Sequence, residues 1–129
     1  ALKLKDISVT TGTQATPTAT VTLEMNNEIY TAAGTGVGPV DSAIKAIQKI
    51  SDKIARIKLN DYRLNSITGG TDAVGEVIIK VEDDQGNIAT AKSSSGDIVV
   101  ASVEAMIDGI NKVLLKKKLS ALKTSLPNP

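Results

Sequence analysis

Leu2-Lys3-Leu4-Lys5-Asp6-Ile7-Ser8-Val9 is answered later in the chain by Ile57-Lys58-Leu59-Asn60-Asp61-Tyr62-Arg63-Leu64. Lys, Leu and Asp recur at matching places, and apolar residues answer apolar ones. Working outward, Ala19-Thr20-Val21-Thr22-Leu23-Glu24 aligns with Val77-Ile78-Ile79-Lys80-Val81-Glu82, and Ile29-Tyr30-Thr31-Ala32 with Ile88-Ala89-Thr90-Ala91. The offset grows from 55 to 58 to 59 residues, and it grows in the loops, where insertions are tolerated. Two copies that pack together enclose a seam. Residues that differ between the copies at that seam are the first candidates for function.

Within the first copy the periodicity predicts a strand over 2–11, whose alternation changes phase between Leu4 and Ile7 as at a bulge. Residues 18–26 alternate cleanly, with Ala19, Val21, Leu23 and Met25 on one face. Asn26-Asn27 reads as a tight turn, because Asn tolerates positive φ, and a return strand follows over 28–33. After the loop Gly34-Thr35-Gly36-Val37-Gly38, Pro39 suits the first turn of a helix. That helix covers 39–53 on an apolar stripe of Val40, Ala43, Ile44, Ile47, Ile50 and Ile54, with Lys45, Gln48, Lys49 and Asp52 toward water. The second copy repeats the order. A strand covers 57–68 with its phase break at Asn60-Asp61, and the loop Gly69–Gly75 leads to a strand over 76–82. Asp83-Asp84-Gln85-Gly86 turns, and residues 87–92 return. Ser93-Ser94-Ser95-Gly96 feeds Asp97, an N-cap, and a helix over 98–118 ends in Lys116-Lys117-Lys118, favourable at a C-terminus. Each unit is βββα. A three-stranded sheet with one amphipathic helix cannot cover both its faces, whereas two units together, or a dimer, can. The expected class is α+β: two pseudo-symmetric βββα units, antiparallel sheets packed with two helices. One domain is expected over 1–129, with repeats at 2–54 and 57–118 and a tail at 119–129.

A chain of 129 residues with 41% hydrophobic and 22% charged content is a globular domain's worth. Tyr30 and Tyr62 are its only aromatics, so the core is aliphatic. With 15 basic and 14 acidic residues there is no electrostatic case for nucleic acid or an anionic membrane. Without Cys there are no disulfides or thiolate metal sites, and without His the usual general base and commonest zinc ligand are gone. No 18-residue apolar run spans a membrane, and Ala1 opens no signal-peptide pattern. A cytoplasmic piece of a longer protein is expected.

The motifs are mostly structural. Ser93-Ser94-Ser95 has no base nearby and reads as loop and cap. The Gly34–Pro39 loop fails the dinucleotide spacing, which wants Gly at 39 or 41, where Pro39 and Asp41 stand. What survives is the free N–H groups and positive dipole end of a helix N-terminus, which can hold a carboxylate. The turn Glu82–Asn87 lacks EF-hand ligand spacing and reads as a solvated hairpin, and Lys116-Lys117-Lys118 as a solvated helix end. Tyr62 takes the place of Ile7, and on its own reads as a core Tyr whose hydroxyl finds a partner.

Four segments together carry a resemblance. Gly36-Val37-Gly38-Pro39-Val40-Asp41-Ser42-Ala43 resembles the G-x-G-P-V-D-A-A loop-helix motif of the C-terminal regulatory domain of 2-isopropylmalate synthases, closely similar to that of (R)-citramalate synthases. Pro17-Thr18-Ala19-Thr20-Val21 matches the family's Pro-Thr-Ala-Thr-Val. Asp61-Tyr62 with Gly70-Thr71-Asp72-Ala73 resembles its D-Y and Gly-Asp-Ala segments. Ser95-Gly96-Asp97-Ile98-Val99-Val100-Ala101-Ser102 is similar to its S-x-D-I-V-x-A-S helix start. The match runs in order from residue 2 to about 114.

The resemblance implies two βββα units, a homodimer, and a feedback-inhibiting branched-chain amino acid, leucine favoured, bound at the dimer interface. Catalysis by this acyl-CoA-dependent transferase would lie in a separate TIM barrel holding a divalent metal partly through H-x-H. A chain with no His lacks that barrel, so this chain is expected to be non-catalytic and to carry no cofactor. Carried over position by position, the effector pocket would use Gly36, Val37, Gly38 and Val40 from the first copy, and Leu59, Tyr62, Ser66, Ala73 and Gly75 from the second. Val40, Leu59, Ala73 and the Tyr62 ring would form an apolar pocket. The Gly36–Gly38 N–H groups would take the carboxylate, and Asp72 or loop carbonyls the ammonium. Val37 departs from the Asn common there in leucine-regulated members. Two rival expectations stand beside this one: an isoleucine-sensing citramalate synthase domain, and a purely structural dimerisation module.

Overall fold

The alternation through Ala19, Val21 and Leu23 becomes the central strand of a sheet, with all three side chains fully buried. The computed structural model describes residues 1–69 and 72–125, of which 68, 69, 72, 73 and 125 are described in their backbone alone. Strands β1 (Lys3–Gly12), β2 (Ala15–Met25) and β3 (Glu28–Thr35) form one antiparallel sheet in the order β1-β2-β3, and helix α1 (Pro39–Ile54) follows. Strands β4 (Lys58–Gly69), β5 (Asp72–Glu82) and β6 (Ile88–Ser95) form a second sheet in the order β4-β5-β6, and α2 (Ile98–Ser125) follows it. The chain is therefore α+β, with two βββα units.

The register explains the phase breaks. Leu4 pairs with Leu23 and Ile7 with Val21, with a shift between Leu4 and Asp6. Leu59 pairs with Val81 and Tyr62 with Ile79, with the matching shift between Leu59 and Asp61. In each copy one extra residue keeps the apolar side chains on the helix-facing side of the sheet. Asn26 and Asn27 turn with φ of 53° and 66°, the pair of positive values a two-residue hairpin needs.

α1 packs on β2 and β3, α2 on β5 and β6, and the helices pack on each other, so both units share one core. Ile47, Ile50, Ile79, Met106 and Ile110 are among its largest fully buried side chains, each contributing about 1.5–3 kcal/mol by removal from water. Two glycines let the layers approach. A Cβ on Gly34 would come within 2.5 Å of the α1 backbone, and one on Gly109 within 2.6 Å of Ile79 Cδ1.

The units are also tied crosswise. The Leu2 N–H donates to Asn111 Oδ1 of α2 at 2.7 Å, and Asn111 Nδ2 donates to the Leu2 carbonyl at 3.0 Å. At the equivalent Ile57, the carbonyl accepts from Gln48 Nε2 and from Ser51 Oγ of α1. The residue entering each unit's first strand is thus held by the other unit's helix.

The structure departs from the sequence expectation in several places. β3 runs on to Thr35 and β6 to Ser95, so Ser93–Ser95 pair with β5 instead of forming a loop. β5 begins at Asp72, not at residue 76, because Gly69 pairs with Asp72 and Thr68 with Ala73 across an extended hairpin. α2 runs on through Ser125 instead of ending near 118. Gln48 turns from water to the Ile57 carbonyl. No helix among the described residues is long and apolar enough to cross a membrane.

Candidate functional site

The chain reverses after α1, and β4 runs back beside it. Leu59 and Tyr62, on the helix-facing side of β4, meet the first turns of α1 around a cavity of about 420 Å³. Its lining is Val37, Gly38, Pro39, Val40, Asp41, Ile44, Leu59 and Tyr62, and its volume falls in the range of small-ligand pockets, about 300–1,000 Å³. One wall comes from each copy, so the cavity lies on the seam.

Local sequence explains each wall. Val40 and Ile44 lie one helical turn apart at the end of the α1 stripe, beyond the fully buried Ala43, Ala46 and Ile47, and are only partly covered. Tyr62 stands where the first copy has Ile7. Its ring lines the cavity, and its hydroxyl meets Ser102 Oγ of α2 at 2.7 Å, where Ser102 is itself fully buried. The partner expected for a core tyrosine is present, and it fixes the ring's position.

The polar end is the start of α1. Gly38 is extended, with φ of −164°, and supplies no side-chain cap, so the first-turn N–H groups of Val40 and Asp41 have neither intrahelical partners nor side-chain partners among the described residues. The loop's own N–H groups are largely engaged. Gly36 N–H donates to the Pro17 carbonyl at 3.1 Å, and Val37 N–H donates to Asp41 Oδ2 at 3.0 Å. Carboxylate-binding capacity therefore lies at Gly38 and the first turn of α1 instead of across Gly36–Gly38. Lys45 also reaches Asp41 Oδ2, at 3.1 Å, and no hydrogen bond or ion pair among the described residues reaches Oδ1 of this cavity-lining residue. The Val37 N–H, and then Lys45, hold the Asp41 carboxyl below its usual range. It stays charged at neutral pH, an acceptor suited to an ammonium.

Of the residues expected at the site, Val37, Gly38, Val40, Leu59 and Tyr62 come together around this cavity. Gly36 lies behind it, where a Cβ would come within 2.3 Å of Asp41 Oδ2. Ser66 and Gly75 pair farther along the β4/β5 hairpin, and Gly75 lies under Ile98. Asp72 and Ala73 open β5, and their side chains lie outside the described residues, as do Gly70 and Thr71. The site adds Pro39, Asp41 and Ile44. The signal for Ile44 was its helical spacing from Val40, and for Asp41 its place in the first turn. Among the described residues no group of three or more His, Cys, Asp or Glu is placed to hold a metal.

Comparison with known proteins bears on the same segment. A family described as the LeuA allosteric (dimerisation) domain matches residues 1–114. A 2-isopropylmalate synthase of Methanocaldococcus jannaschii is 51% identical over 117 residues, covering 91% of this chain and 22% of that protein. A protein of Methanopyrus kandleri named a probable 2-isopropylmalate synthase is 44% identical over 119 residues, 92% of this chain and 24% of its own. A Methanothermobacter thermautotrophicus protein, named provisionally an (R)-citramalate synthase, is 44% identical over 115 residues, 89% and 23%. The chain spans about a quarter or less of each relative's length.

Proposed function

The chain belongs to the LeuA allosteric (dimerisation) domain family, and on that premise we propose that it is the amino-acid-sensing, homodimerising regulatory domain of a 2-isopropylmalate synthase-like acyltransferase, with leucine as feedback effector. The observation that carries the reading is the seam cavity, with apolar walls and one polar end. Leucine fits that division of chemistry. Its side chain lies against Val40, Ile44, Leu59 and the Tyr62 ring. Its carboxylate takes the open N–H groups at the start of α1, where the helix dipole favours an anion, and its ammonium takes Asp41 Oδ1. The remaining expected residues, Gly36, Ser66, Asp72, Ala73 and Gly75, would shape the loop and hairpin around this pocket.

Regulation follows from the two-copy wall. A ligand that touches α1 and β4 together favours whichever arrangement of the two units brings its walls to contact distance, and so shifts the equilibrium toward it. Val37, 94% exposed on the cavity rim, is an apolar surface that a second copy would cover. The catalytic barrel of the parent would sense the resulting change in the dimer.

Calorimetric titration of the chain with leucine, isoleucine and valine tests this. Leucine should give saturable heat and raise Tm, with the other two weaker. A preference for isoleucine would move the parent to a citramalate synthase, in line with the relative of that name. Dimerisation without heat or Tm change at millimolar ligand would reduce the domain to a structural module.

A further inference from the structure

Beyond the residues matched to the family, which end at 114, α2 continues to Ser125. No residue past Val113 is among the buried core, yet this extension is not a plain polar tail. Leu115, Leu119 and Leu122 are 56%, 55% and 58% exposed, and their spacing of four and then three places them on one narrow stripe, the seam by which two helices pack. Toward its N-terminal end the stripe meets a groove of about 530 Å³ between α2 and the β2/β3 turn, whose walls include Met25, Asn26, Asp108, Asn111, Leu115 and Lys118.

Past Asp108, which lines the groove, the flanks of the stripe are all of one sign. From Gly109 to Pro129 the sequence has five lysines and no acidic residue. On the helix, Lys118 borders the stripe on one side, and Lys112, Lys116 and Lys123 on the other. Asp108 offsets Lys112 at 3.2 Å, and Lys116 Nζ reaches the Ile88 carbonyl. No ion pair among the described residues involves Lys116, Lys118 or Lys123.

We propose that the Leu115–Leu119–Leu122 stripe is a docking surface for an acidic amphipathic helix of a partner protein, with leucine-type residues on the seam and carboxylates beside it. Charge decides among the occupants. A second copy laid on the stripe would set Lys118 against lysines of its mate in either direction, and like charges across such a seam oppose pairing. A membrane-surface helix uses a broad apolar face with aromatic anchors, whereas this stripe is narrow and α2 has no aromatic residue. An acidic helix satisfies both the seam and its flanks.

The test is fluorescence anisotropy of the chain with a labelled synthetic heptad peptide, Leu at the seam positions and Glu at the flanks. One peptide should bind per chain, with affinity falling about tenfold or more between low and high salt. Leu119→Asp should abolish binding without lowering Tm, because Leu119 lies outside the core. Lys118→Glu with Lys123→Glu should reject the Glu peptide and accept a Lys-flanked one. Equal binding of Glu- and Lys-flanked peptides by the unmodified chain would overturn the proposal. So would sedimentation showing self-association that Leu119→Asp removes, or binding to phosphatidylglycerol vesicles in place of the peptide. None of these readouts depends on leucine binding at the seam cavity.

Discussion

Asp83 and Asp41 are both carboxylates in turns, and the fold uses them in opposite ways. Asp83, read from sequence as part of a solvated hairpin, is only 5% exposed. Burial pushes its carboxyl up, but the Asn87 side chain and the N–H groups of Asn87 and Gln85 outweigh this and leave it below the usual 3.8. Those three bonds, at 2.8, 2.8 and 2.9 Å, hold the turn before β6. Asp83→Ala removes three charge-assisted hydrogen bonds in a part-buried turn and should cost about 1–3 kcal/mol, read from urea unfolding. Because the folded value is depressed, this stabilisation is fully present above the usual carboxylate value. The gap between the two proteins should therefore stay constant near neutrality and close as pH falls through the folded value. Asp41 is instead half-buried and lines the cavity, with its described hydrogen bond and ion pair both on Oδ2. Asp41→Asn keeps an oxygen for the Val37 N–H but removes the charge for an ammonium, so leucine affinity should drop about tenfold or more with little change in Tm. The unmodified site should bind evenly from about pH 8 to pH 5 and weaken only as Asp41 protonates below the usual 3.8. A midpoint near neutrality in calorimetric titrations would show that Asp41 is not the acceptor.

At the scale of elements, what could be read from sequence was whatever is decided locally. The bulges at Lys5 and Asn60 announced themselves as phase breaks, and Asn26-Asn27 and Asp97 as turn and cap chemistry. What could not be read was decided by pairing. Gly69–Gly75 has the composition of a loop, yet its flanks are strands because β4 continues to pair with β5 as far as Gly69 and Asp72. Lys116-Lys117-Lys118 looks like a helix end because cations favour C-termini, but lysine is also a good helix former, and α2 continues. The contact between layers is equally non-local and gives a contrast between two glycines. A Cβ on Gly34 would meet Ala46 N and Ser42 O at 2.5 Å. These are backbone atoms, so α1 would have to lift off β3, and Gly34→Ala should cost about 1–3 kcal/mol or more. On Gly109 a Cβ would meet the flexible Ile79 Cδ1 at 2.6 Å and Val81 Cγ2 at 3.1 Å. That strain is offset by about 1 kcal/mol of helix propensity, so Gly109→Ala should be near neutral. Urea midpoints that reversed this order would contradict the account of how the helices seat.

For the whole molecule, the duplication raises the question of whether the chain has one effector site or two. The seam is partly legible in the sequence: Val37, Gly38, Val40, Leu59 and Tyr62 come from both copies and line one cavity. Ile44 was hidden because a stripe residue at the edge of a core reads like one inside it. The decisive asymmetry is at the helix starts. Gly38 precedes α1 as Asp97 precedes α2, at the same offset of 59 as β3 and β6. Asp97 Oδ1 accepts the N–H groups of Val99 and Val100 at 2.9 and 3.3 Å, so α2 caps itself, while Gly38 leaves the corresponding groups of α1 open. Val103, at the place of Ile44, is also fully buried, which closes the second wall. Leucine should therefore bind with a stoichiometry near one per chain, and a calorimetric value near two would refute this. Giving α1 the cap of α2 sharpens the test. Gly38→Asp places a carboxylate where the ligand's would sit, so it should leave Tm unchanged or raise it by a few tenths of a kcal/mol's worth while abolishing leucine heat. Gly38→Ala has open space around its Cβ and no carboxylate, so it should retain binding. Equal loss in both variants would mean that the glycine matters for room alone, and that the open N–H groups of α1 do not hold the ligand.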